Sequence, residues 1–163
     1  MAMKIKRLTL GLFFFILMNS CIDSFYERHY AYEIHNNSKY TTQVYIAVSS
    51  NGGVYPDTTL SFVKDRITTT INPFSQFNSD YGSSFEEIFS HFPNDTLSIY
   101  IFDRDTLNKY FWEEIQRDYK ILQRYDLSFK DIQILQNKYG IPEIPYPPDE
   151  RMKEMKMYPP YGN

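Results

Sequence analysis

The sequence predicts a β-rich α+β domain, either a single antiparallel sheet or a small β-sandwich, with two or three short helices. Three observations predict it. Five or six short runs alternate apolar and polar residues, the period of a strand that turns one face to a core. Clusters of Asn, Gly, Pro, Asp and Ser separate those runs. Between them stand short segments whose apolar residues recur at helical spacing.

In chain order, Tyr30, Tyr32 and Ile34 alternate with His29, Glu33 and His35, a strand with one buried face. Asn36-Asn37-Ser38-Lys39 is a turn cluster, and Thr42, Val44, Ile46 and Val48 then share one face of a second strand. The two runs read as a hairpin. After a loop with Asn51-Gly52-Gly53 and Pro56-Asp57, residues 60–63 form a weak strand and residues 66–71 a better one. Phe85, Ile88, Phe89 and Phe92 have helical spacing, with Ser83 and Glu86 placed as a capping box. Leu97, Ile99 and Ile101 alternate with Ser98 and Tyr100, and the second face is partly apolar, so this is a central strand. Asp103-Arg104-Asp105 closes it.

Trp112, Ile115 and Tyr119 share a face of a short helix on which Glu113 can pair with Arg117. Residues 121–127 read as a further strand. Ser128 then caps a helix whose buried side carries Phe129, Ile132, Leu135 and Tyr139, and Gly140 stops it. Six of the nine prolines fall between Pro142 and Pro160. In this tail residues 149–157 read as one helical segment after Pro147-Pro148, with Met152 and Met155 touching the domain.

The amino terminus has a different character. Lys4, Lys6 and Arg7 precede an apolar run of eleven residues, 8–18, too short for the roughly 20 residues that span a bilayer as a helix. A basic start, a short apolar core and the small Ser20 mark a secretory signal. Cys21 follows at once, and this arrangement resembles a lipobox. The resemblance implies cleavage before Cys21 and lipidation of its thiol. Residues 1–20 are then a lipoprotein signal peptide, 21–27 a short tether, 28–140 a globular β-rich domain and 141–163 a Pro-rich tail partly docked on it. The tether reaches roughly 25 Å at full extension, which keeps the domain near its membrane. Two or more acyl chains on Cys21 anchor stably, each buried methylene contributing about 0.8 kcal/mol. Export to a cell-envelope membrane is expected, the outer membrane first.

Cys21 is the single cysteine, so the mature domain has no disulfide, thiolate nucleophile or cysteine metal site. Removing residues 1–20 leaves 14 basic residues against 20 acidic ones, a net charge of −6. That balance argues against nucleic acid and anionic lipid surfaces as partners. All 15 tyrosines follow the signal and suit half-buried strands or wet contact surfaces.

The stretch DTLSIYIFDRDTLNKYFWEEIQRDYKILQRYDLS (residues 95–128), the ending MKMYPPYG (155–162), YPDTTL (55–60) and the lipobox resemble a family of short uncharacterised lipoproteins of gut Bacteroidota. The resemblance covers roughly two thirds of the mature chain. Members carry a serine before the tryptophan where Phe111 stands here. The resemblance implies export and lineage, and no activity. In that lineage an Asp-Ser/Thr-apolar pattern accepts O-linked sugar, which makes Thr58, Thr96 and Thr106 candidate O-glycosylation sites.

Catalytic patterns are scarce. His29 and His35 share a strand face but lie about 20 Å apart, too far for one metal ion. Asp103, Asp105 and Glu114 match positions of a calcium loop, but Leu107 replaces a ligand and Asn108 the turn glycine. Glu86-Glu87 and Glu113-Glu114 diverge by about 100° on a helix, which makes them solvated faces. Tyr110, Phe111 and Trp112 form the densest aromatic spot, a candidate platform for stacking on a sugar ring. No catalytic residue, metal or cofactor is implied. The expected function is that of a membrane-anchored envelope lipoprotein, a non-enzymatic accessory or interaction protein whose partner is an envelope protein or a glycan. The alternatives are a glycan-binding module using residues 110–112 and an envelope hydrolase whose site only the fold assembles.

Overall fold

A computed structural model describes residues 30–47, 60–81, 84–92 and 95–162. The signal, Cys21, the tether, His29, Thr58 and Ser83 lie outside the described residues. The fold is β-rich α+β, with eight strands in two sheets and four short α-helices among the described residues.

The strands are β1 (Tyr30–Asn36), β2 (Thr42–Ala47), β3 (Thr69–Ile71), β4 (Ser75–Tyr81), β5 (Thr96–Asp103), β6 (Gln123–Ser128), β7 (Glu143–Tyr146) and β8 (Lys156–Tyr158). The helices are α1 (Phe85–Ser90), α2 (Arg104–Lys109), α3 (Trp112–Arg117) and α4 (Phe129–Ile134). One sheet has the order β4-β1-β7 and the other β3-β2-β5-β6-β8. All pairings are antiparallel except β1 with β7, which is parallel.

The alternation read from the sequence sets the layers. Tyr32, Ile34 and Ile144 of the small sheet meet Val44, Leu97, Ile99, Ile101, Tyr125 and Leu127 of the large one in a single core. Ile99 and Ile101 have no exposed surface, and each such side chain contributes about 1.5–3 kcal/mol. Phe85 and Phe89 of α1, Ile132 of α4, and Met152, Met155 and Met157 close its margins. The opposite face of β5 is covered too. Leu60, Phe62, Ile67, Leu107 and Ile115 pack over Tyr100 and Phe102, which makes β5 the central strand its sequence predicts.

Several elements differ from expectation. β1 and β2 form no hairpin and lie in different sheets. The buried side chain of Asn36 explains the crossing. Its Nδ2 reaches the carbonyls of Tyr40 at 2.7 Å and of Ile71 and Asn72 at 3.1 Å, and its Oδ1 accepts from the amide and hydroxyl of Ser38. The turn is thus tied to the end of β3 instead of folding β2 back on β1. Residues 60–63 are not a strand; Leu60 and Phe62 pack on the outer face of the large sheet, and a 3₁₀ turn follows at Lys64–Arg66. The helix capped by Ser128 ends at Ile134, so Tyr139 stands exposed in a turn completed by Gly140 at φ +80°. Residues 149–157 form a 3₁₀ turn at Glu150–Met152 followed by β8, not one helix, although Met152 and Met155 are buried as expected.

Caps are local and strong. Ser84 accepts from the Glu87 amide, Asp103 from the Thr106 amide, and Ser128 and Asp131 cap reciprocally. At Phe111, which has no capping oxygen, only Glu114 bonds back to the amide. Arg117 pairs with Asp118 instead of Glu113.

Replacing Asn36 with Ala should lower unfolding stability in urea by about 3 kcal/mol, since buried carbonyls lose their donor. A loss below about 0.5 kcal/mol would contradict the role assigned to this amide.

Candidate binding surface

The strand directions give the sandwich two poles. The chain enters β1 at Tyr30, and β1 runs for about 20 Å before its end at Asn36. At that far pole the chain ends β1, β5, β7 and β8 and begins β2, β4 and β6. The far pole carries two open clefts.

The first has a volume of about 430 Å³ and lies where β2 begins and β5 ends. Tyr40, Thr41 and Lys39 form one wall, and Asp103, Arg104, Asp105 and Asn108 the other. The Arg104 amide donates to the Thr41 carbonyl at 3.1 Å and joins the walls. The Asp103 carboxylate accepts from the Thr106 amide and hydroxyl, both at 3.0 Å, and fixes the start of α2.

The second cleft, of about 360 Å³, lies over the start of β6 and the end of β8. Leu122 and Gln123 meet Tyr146, Tyr161 and the pairs Pro147-Pro148 and Pro159-Pro160 there. Gln123 Nε2 donates to the Pro159 carbonyl at 2.9 Å and holds the tail against β6. The Tyr146–Pro147 and Tyr158–Pro159 peptide bonds are cis.

Tyr146, the last residue of β7, brings the small sheet to the second cleft. It lines the second, its carbonyl accepts from the Asn37 amide at 2.7 Å, and burial followed by the nearby Asp103 carboxylate and Tyr40 phenol raises its pKa. Its hydroxyl therefore stays protonated at neutral pH and keeps a proton to donate.

Beneath the outer face of the large sheet lies a buried charged group that the sequence reading missed. Arg124 and Asp126 sit two apart on β6, both almost wholly buried, with Nε 2.9 Å from Oδ2 and an Nη2–Oδ1 bond of 3.0 Å. Ser98 donates to the same carboxylate at 2.6 Å, and the Arg124 guanidinium lies 5.1 Å from the Tyr100 ring centroid. Burial works against the guanidinium's charge, but its bonds to Tyr119 and Asp126 and the Asp126 charge outweigh burial and hold it protonated. Burial likewise pushes the Tyr100 and Tyr125 phenols above their ordinary range. An Arg-x-Asp pair inside a strand was the available signal.

The aromatic trio is not brought together. Trp112 packs inward, 5.6 Å from Phe62 and 6.1 Å from Phe102 between ring centroids. Phe111 points out and is 79% exposed, and the Tyr110 ring lies under the Lys109 and Lys120 ammonium groups. Thr96 opens β5 half-buried, and the Thr106 hydroxyl donates to Asp103. His35 bonds Glu33 at 2.8 Å, and the His91 ring engages the Glu87 carbonyl. Among the described residues no three His, Cys, Asp or Glu side chains are placed to share a metal ion, and no helix is long and apolar enough to cross a membrane.

Comparison with known proteins identifies no matching family model, no matching curated protein and no matching solved structure.

Asp126→Ala should cost about 3–5 kcal/mol of unfolding free energy, because it strands a buried guanidinium. The double change Arg124→Met with Asp126→Leu should restore more than half of that loss. A single-variant cost under about 1 kcal/mol, read by denaturant melts, would show the pair to be hydrated and dispensable.

Proposed function

We propose that this protein is a lipoprotein of the cell envelope, held to its membrane by acyl chains on Cys21, and that it works as a non-enzymatic interaction module. The observation that supports the reading is the direction of β1, which starts at Tyr30 and ends at the pole that carries both clefts. On this proposal the tether leads into the start of β1. An anchored chain built this way presents its clefts away from the bilayer. Tyr40 is 52% exposed and Tyr161 37%, and tyrosines of this kind are enriched at protein contact surfaces. The excess of acidic residues fits a surface kept off anionic lipid.

The test is site-specific photocrosslinking of full-length protein in cells. A photoreactive residue in place of Tyr40 or Tyr161 should give recurrent crosslinked products, and one in place of Ser90 or Lys130, at the opposite pole, should give few. The Cys21→Ala form should leave the membrane fraction and lose those products. Crosslinks distributed evenly over both poles, or membrane retention with normal processing of Cys21→Ala, would contradict the reading.

A further inference from the structure

We propose that the two far-pole clefts together hold a neutral oligosaccharide, with Tyr40, Tyr146 and Tyr161 supplying aromatic surface and Arg104, Asp105 and Asn108 supplying hydrogen bonds to sugar hydroxyls. The inference rests on the outward-facing reading above and names the ligand of that surface.

Four observations carry it. First, the charges of the polar cleft cancel. Lys39 and Arg104 face Asp103 and Asp105, so the lining selects neither an anion nor a cation. What it offers instead is a mixture of donors and acceptors around one space. A guanidinium and an amide beside carboxylates suit adjacent hydroxyls, each of which both donates and accepts. Arg104, Asp105 and Asn108 are all exposed, so their hydrogen bonds to a ligand replace bonds to water.

Second, the other cleft at the same pole has a different chemistry. The start of β2 and the end of β5 bound the first cleft, the start of β6 and the end of β8 bound the second, and β5 pairs with both β2 and β6. Tyr146, from the other sheet, lines the second cleft. A ligand held in both clefts meets hydroxyl-binding groups on one side and tyrosine and proline faces on the other. Sugar rings have that duality, with hydroxyls at the rim and apolar C–H faces.

Third, the walls of the second cleft are stiff. Proline fixes its own φ, and tyrosine has only two side-chain torsions to lose, so little ordering opposes binding. Fourth, both clefts are open and of the size that ligand sites occupy, roughly 300–1,000 Å³. Openness suits a chain that passes through with both ends in solvent.

The test uses full-length protein in detergent and calorimetric titration with maltoheptaose, cellohexaose, xylohexaose and mannohexaose. Oligogalacturonate and a proline-rich decapeptide serve as charged and peptide probes. At least one neutral oligosaccharide should bind, and glucose, xylose and mannose should bind far more weakly. Tyr40→Ala and Tyr161→Ala should each weaken that affinity about tenfold, the scale of one stacked ring. Phe111→Ala, an exposed ring outside both clefts, should leave it unchanged. Absence of binding by every neutral probe, binding only of oligogalacturonate or the peptide, or sugar binding indifferent to both tyrosine variants would each overturn the inference. Far-pole crosslinks to a protein without sugar binding would overturn this inference alone and leave the outward-facing reading standing.

Discussion

The Asn36 side chain is the constraint on which the rest of the molecule depends. A polar group buried this deeply must find partners, and Asn36 finds them in the turn leading to β2 and in the carbonyls of Ile71 and Asn72. Meeting that demand sends β1 and β2 into different sheets. The two sheets then close their apolar faces on one another, and β5, buried on both sides, becomes the spine of the larger one. The same crossing gathers loops from both sheets at one pole. The two clefts are a consequence of how the chain changes sheets.

The outer face has its own logic. A sheet that buries only one side would leave Tyr100 and Phe102 in water. Here Phe62, Leu107 and Ile115 cover them, and Phe62 stacks on Tyr45 with ring centroids 3.9 Å apart. The Arg124–Asp126 pair stands on this covered face, where attraction between charges offsets a large desolvation cost only if geometry is good. Ser98 and Tyr119 complete that geometry. Tyr119, held at φ +47°, also packs edge-on against Tyr158 at 5.1 Å, so the pair connects to the strand that carries the tail.

What could be read from the sequence follows from what is local. The alternation of residues 97–102 and the Ser128 cap depend on neighbours a few positions apart, and both were legible. β4 was not, because Phe77 stands among Ser75, Gln76, Asn78, Ser79 and Asp80 and an edge strand needs no alternation. Helix α2 was hidden because Asp103 ends a strand and caps a helix at once. β7 was masked by proline, which an edge strand tolerates. The candidate surface was the least legible part. Tyr40, Asp103, Tyr146 and Tyr161 span more than a hundred positions and meet only through strand order, whereas the adjacent Tyr110, Phe111 and Trp112 diverge because neighbouring side chains point different ways.

The account stands on the clefts facing away from the bilayer. On the proposed acylation of Cys21 no native thiol stays free, so one introduced cysteine can carry a fluorophore at a chosen pole. Full-length lipidated protein labelled at Lys130→Cys or Tyr161→Cys would be placed in vesicles containing lipid with a spin-labelled headgroup, and quenching measured for each. The account predicts strong quenching at position 130 and little at position 161. Equal quenching at the two positions, or stronger quenching at 161, would contradict it.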